Sequence, residues 1–189
     1  QRKRRGGIPS DQSAQIVDQA VLMGKLFDET GDRLTPTHTK KNGRRIRYYV
    51  SNRLISGGPD PSGWRLSAPK LEGQVASIIA DHLEVLANNC ALTNSPELHG
   101  MDRTRDKADT FIKSLRSKGI IQCGELIKGI HLHPQNIRIS LDADHLAKSL
   151  NMMPDELSDQ PVEFEQSWTF RKRGVENRMI VGSPAPSRT

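Results

Sequence analysis

The stretch LTPTHTKKNGRRIRYYVS (Leu34–Ser51) governs how this chain is read. Asn42-Gly43 stands between two runs rich in Thr, Ile, Tyr and Val. Both residues tolerate the positive φ angles of a type I′ turn, so the pattern predicts a β-hairpin. Alternation along the returning strand puts Arg45, Arg47 and Tyr49 on one face and Arg44, Ile46 and Tyr48 on the other. Lys40, Lys41, Arg44, Arg45 and Arg47 gather at the tip and on that strand. Such cations neutralise phosphates, a two-stranded ribbon fits a groove of duplex DNA, and Tyr48 or Tyr49 can pack or touch sugar. The pattern equally suits a hairpin whose charges only keep it dissolved, because a few phosphate contacts give weak, nonspecific affinity.

Composition sharpens this. The chain has 189 residues, a net charge of +6, 34% hydrophobic residues and 2 Cys. That length holds one or two small domains. Residues 1–50 carry 11 Lys+Arg against 5 Asp+Glu (11 − 5 = +6), residues 51–150 carry 12 against 11, and residues 151–189 carry 5 against 6. The excess therefore belongs to the first quarter, shared between a basic start (Arg2 to Arg5) and the hairpin. Cys90 and Cys123 supply neither a disulfide framework nor a four-thiolate metal site and read as small hydrophobes in a reducing compartment. The chain has no apolar run of the roughly 18 residues a membrane helix needs, and residues 1–30 lack a signal-peptide core, so a cytoplasmic location away from membranes is expected. Gln1 in place of Met suggests a piece of a longer polypeptide.

Outward from the hairpin, residues 1–21 read as a basic linker followed by a weak helical stripe (Ile16, Val17, Ala20, Val21) that Gly24 would end. Gly31-Asp32 after Leu26-Phe27 predicts a further turn and a third short strand. Residues 57–68 read as a turn-rich connector. Beyond it, Leu71, Val75, Ile78, Ile79, Leu83 and Leu86 recur at helical spacing, with Ser67 near the cap and Pro69 near the first turn. A second helix is expected from about Met101 to Lys118, ended by Gly119 and antiparallel to the first. Ile130 to Leu141 alternates around a turn at His133–Asn136, and Asp142 is placed to cap a short helix reaching Leu150. Val162 to Phe170 reads as one strand whose antiparallel partner is Val175 to Val181. Residues 183–189 have the composition of a frayed end.

Catalytic motifs do not stand out. The six histidines fall in none of the HExxH or Cys/His metal patterns, and neither a phosphate-cradling GxxxxGK[ST] loop nor a GxSxG elbow occurs. His131 and His133, two apart on a strand, could join Asp142 or Asp144 around a metal, although two histidines at a hairpin end explain the spacing as well. No catalytic, metal or cofactor residue is assigned.

The segment Gly24 to Ser51, taken with its Gly31 and its Tyr48-Tyr49 pair, resembles the zinc-ribbon segment of large bacterial serine site-specific recombinases, of the resolvase and invertase superfamily. The later stretches Ile137 to Asp142, Leu146 to Leu150 and Val162 to Glu176 are similar to the segments C-terminal to the ribbon in that family, extending the likeness over most of residues 22–182. The resemblance puts Phe27, Thr30 and Ser51 where cysteines would stand, which implies a ribbon that has lost its metal ligands. It also implies that the catalytic serine domain is missing from this chain. The expected fold is therefore α+β: a zinc-ribbon-like hairpin module over 22–56, then an antiparallel helix pair and β-hairpins within 69–182. The expected function is non-catalytic binding and positioning of double-stranded DNA, with other recombinase subunits as partners. Lys40, Lys41, Arg44, Arg45 and Arg47 would meet phosphate, Tyr48 or Tyr49 would pack or touch sugar, and Arg171, Lys172 and Arg173 form a second basic turn. A rival of another class is a self-association module using the two amphipathic helices.

Overall fold

The computed structural model describes residues 20–58, 60, 62–94, 98–159, 162–173 and 176–180. The basic start, most of the weak helix expected before Lys25, and the terminal segment 183–189 lie outside these residues. The fold is α+β, as expected. Strands β1 (Leu26–Asp28), β2 (Leu34–Lys41), β3 (Arg44–Ser51) and β4 (Arg65–Ser67) precede helix α2, with a short helix α1 (Asn52–Ser56) between β3 and β4. Helices α2 (Ala68–Asn88) and α3 (Leu98–Lys118) follow. Strands β5 (Ile127–Leu132) and β6 (Asn136–Leu141), helix α4 (Ala143–Ser149), and strands β7 (Glu163–Ser167), β8 (Thr169–Arg173) and β9 (Glu176–Ile180) complete the order.

The hairpin forms where the Asn-Gly signal puts it. Asn42 and Gly43 take φ of 50° and 74°, and β2 pairs antiparallel with β3 from Lys41↔Arg44 down to Leu34↔Ser51. A third strand, β4, adds to β3 from within the stretch read as a connector, where Leu66 faces Tyr49 in register. Helix α2 buries Leu71, Val75, Ile78, Ile79 and Leu83 on its apolar stripe. Ser67 is its N-cap residue, though its hydroxyl makes no capping hydrogen bond, and Pro69 lies in the first turn. Helix α3 turns Ala108, Ile112 and Leu115 inward against it, and Gly119, at φ 66°, ends it. Arg105 bonds to Asn88 and Arg116 to Asp81 and Glu84, so the two helices run antiparallel. Their apolar stripes thus meet inside the molecule, leaving Val85 as the large exposed apolar side chain of the pair among the described residues. Asp142 caps α4 by accepting a bond from the His145 backbone N–H at 3.0 Å.

Two further elements depart from expectation. The third short strand exists as β1, but it pairs in parallel with β5, Leu26 opposite Ile130 and Asp28 opposite Leu132, in a four-stranded sheet of order β1-β5-β6-β7. Three residues carry too little periodicity to name a partner a hundred positions away. The single strand read over Val162 to Phe170 is broken at Trp168. That indole turns inward, donates from Nε1 to the His133 carbonyl at 2.6 Å and stacks on Trp64 at 6.3 Å between ring centroids. Hence β7 pairs with β6, and only β8 takes β9 as its antiparallel partner.

One hydrophobic cluster links the pieces. It runs from Leu22, Leu26, Leu34 and Tyr49 through Trp64 and Leu66 to α2, α3, β5, β6 and α4. The stretch 57–68 therefore joins two parts of a single core.

Candidate nucleic-acid interface

The far end of the hairpin carries Lys40, Lys41, Arg44 and Arg45, all exposed. Arg45 lies 3.4 Å from His38 Nδ1 across the strand pair. Among the described residues, no carboxylate lies within ion-pairing distance of Lys40, Lys41 or Arg44. The β ladder holds the backbone of this tip in a fixed register, so its charge is presented by a stiff element.

Closer to the body the two faces diverge. Arg47 and Tyr49 share the inner face and meet Glu72 of α2. The Arg47 guanidinium donates to both Glu72 carboxylate oxygens, at 3.3 and 3.2 Å, and its side chain is 15% exposed. The Tyr49 hydroxyl donates to Glu72 Oε1 at 2.8 Å and accepts from the Leu22 backbone N–H at 3.1 Å. Burial pushes the Tyr49 hydroxyl pKa up, and the neighbouring Glu72 carboxylate adds to the rise. Arg47 is thus grouped by sequence with the phosphate contacts but placed by the fold in an internal ion pair. Both tyrosines pack: Tyr49 is fully buried, and Tyr48, on the outer face, lies under the Arg65 guanidinium at 4.5 Å.

At the base of the hairpin a buried carboxylate ties three segments together. Asp28 Oδ1 accepts from the Thr30 hydroxyl at 2.7 Å and from the backbone N–H groups of Thr30 and Asp32. Its Oδ2 accepts from the Ser51 hydroxyl at 2.9 Å and from Arg53. Arg53 also lies 3.5 Å from Asp32 and 3.1 Å from Asp60 and donates to the Ser62 carbonyl. Burial would raise the Asp28 pKa, but the bonds from Thr30 and Ser51, with the Arg53 charge, outweigh it and hold the carboxyl below the usual carboxylate range. Thr30 and Ser51 are two positions where the resemblance puts cysteines, and the third, Phe27, stacks on His131 at 5.2 Å. Two hydroxyls bonded to one carboxylate and an aromatic ring do not make a zinc site. A charged hydrogen-bond centre stands there instead.

The second basic turn is only partly in view. The backbone of β8 and β9 sets Arg171 opposite Arg178, Lys172 opposite Asn177 and Arg173 opposite Glu176, and β9 lies alongside β4. The side chains of Arg171, Lys172 and Arg173 lie outside the described set. His131 is exposed at the end of β5 and His133 comes next in the turn, and among the described residues no three His, Cys, Asp or Glu side chains form a metal-holding group. No described helix is long and apolar enough to cross a membrane. Sequence reading passed over Asp28, Arg53, Arg65 and Glu72. The signal for Arg65 was its alternation with Leu66 inside the apparent connector. No protein-family model, curated protein or solved structure matches the chain.

Proposed function

We propose that this chain binds duplex DNA through the hairpin tip, as a non-catalytic positioning segment of a serine site-specific recombinase. The observation that carries the DNA contact is the cluster of four exposed cations, Lys40, Lys41, Arg44 and Arg45, on the end of a ladder-stiffened hairpin. The recombinase assignment is supported by the resemblance over residues 22–182, and the reaction itself is assigned to a domain outside this chain. Subunit contacts with other recombinase copies belong to the same reading.

Titrating the chain with a mixed-sequence duplex across a salt series tests it. Each phosphate engaged lowers log K by about 0.9 per unit of log salt, so full use of four cations gives a slope of about −3.6. Replacing Lys40, Lys41, Arg44 and Arg45 together by Ala should abolish both binding and slope. Unchanged binding by that variant would remove the hairpin from the interface.

A further inference from the structure

We infer that Arg65 is a further phosphate-contacting residue, and that DNA lies on the outer face of the β2–β3–β4 sheet as well as at the tip. This rests on the DNA reading above and says which face of the hairpin that reading uses.

Register decides which residues share a face. Arg65 is opposite Val50, Tyr48 is opposite Thr37, and Arg44 is opposite Lys41, all on the face turned away from α2. The inner face is closed by the contacts of Arg47 and Tyr49 with Glu72. The outer face carries Lys41, Arg44 and Arg65 with the hydroxyls of Thr37 and Thr39 between them, and its strand positions include no Asp or Glu. Arg65 is half-buried, yet among the described residues no carboxylate pairs with it. The contact with the Tyr48 ring, 4.5 Å from guanidinium carbon to ring centroid, holds the Arg65 head group over that side chain, and its N–H groups can donate to an anion. From Tyr48 to Arg44 is four residues, about 13 Å of strand. That separation lets Arg65 and the tip meet different phosphates of one duplex. The tip cluster alone gives a single point of attraction; a second anchor at this distance fixes the direction in which the duplex crosses the sheet.

The test uses the full chain and a mixed-sequence duplex followed by fluorescence anisotropy from low to moderate NaCl. Arg65→Met keeps an apolar stem on Tyr48 and removes the charge; its salt slope should fall by about 0.9, while Arg65→Lys should keep the parent slope. In the unsubstituted protein, duplex should protect Arg65 together with Arg44 from phenylglyoxal, as read by mass spectrometry, a measurement that does not depend on a variant folding. An unchanged slope for Arg65→Met with Arg65 still modified in the complex overturns the inference, and if the four-cation tip variant loses binding in the same series the DNA reading stands without it. Binding that survives loss of the four tip cations overturns both.

Discussion

Tyr49 carries a hydroxyl into the core, a placement that costs stability unless both its proton and a lone pair are used, and both are. Its bonds to Glu72 and to the Leu22 backbone join the hairpin, α2 and the chain entering β1 at one atom. Asp28 does the same at the other end of β3, through Thr30, Ser51 and Arg53. Because its folded pKa is depressed, its contribution is complete above the ordinary aspartate value of about 3.9 and is lost as pH falls through that value toward the folded one. Asp28→Asn should therefore be less stable than the parent by roughly 1–3 kcal/mol at pH 7, with the gap closing below about pH 4. Urea midpoints measured from pH 7 to pH 2.5 check this, and parallel curves for the two proteins would contradict it. Neither centre was legible in the sequence. Asp28, Thr30, Ser51 and Arg53 are ordinary surface residue types until the hairpin folds 51–53 back onto 28–30.

For the elements, legibility tracked the range of the signal. The β2–β3 hairpin is specified by two adjacent residues, and the helices by stripes that repeat every three or four positions, so local sequence located both. The parallel partner of β1 and the break between β7 and β8 depend on contacts made far along the chain, on Ile130 and on Trp64, and no local pattern encodes them. The turn can be tested directly. Gly43 sits at φ 74° with open space where a Cβ would go, so a side chain there meets backbone strain without a steric clash. Gly43→Val should cost about 1–2 kcal/mol, felt first as faster amide exchange in Lys41 and Arg44. Under the DNA-binding proposal, affinity for duplex should fall with it, although every tip cation is retained, because the cations then sit on a frayed end. Equal exchange and equal affinity in the variant would mean that the ladder, and not the turn, sets the tip.

At the scale of the whole molecule, the turn-rich composition of 57–68 suggests a seam between a hairpin module and the rest, whereas the packing is continuous across it. Leu26, Leu34 and Tyr49 belong to the same buried cluster as Ile79, Ile130 and Leu132, and β4 and β1 stitch the N-terminal part to both later layers. A zinc-bound ribbon can fold around its metal; this hairpin segment instead leans on the body, so its stability should be that of the whole. Leu132 is fully buried at the end of β5, far in sequence from the hairpin. Leu132→Ala should lower global stability by about 2–5 kcal/mol, and the amides of β3 should lose protection by the same free energy as those of β5 and β6. Tryptophan fluorescence from Trp64 and Trp168 and far-UV circular dichroism should then report one coincident transition. If β3 kept its protection while β5 and β6 lost theirs, the hairpin would be an independent unit, and DNA binding by residues 22–56 alone would become the expectation in place of binding that requires the folded body.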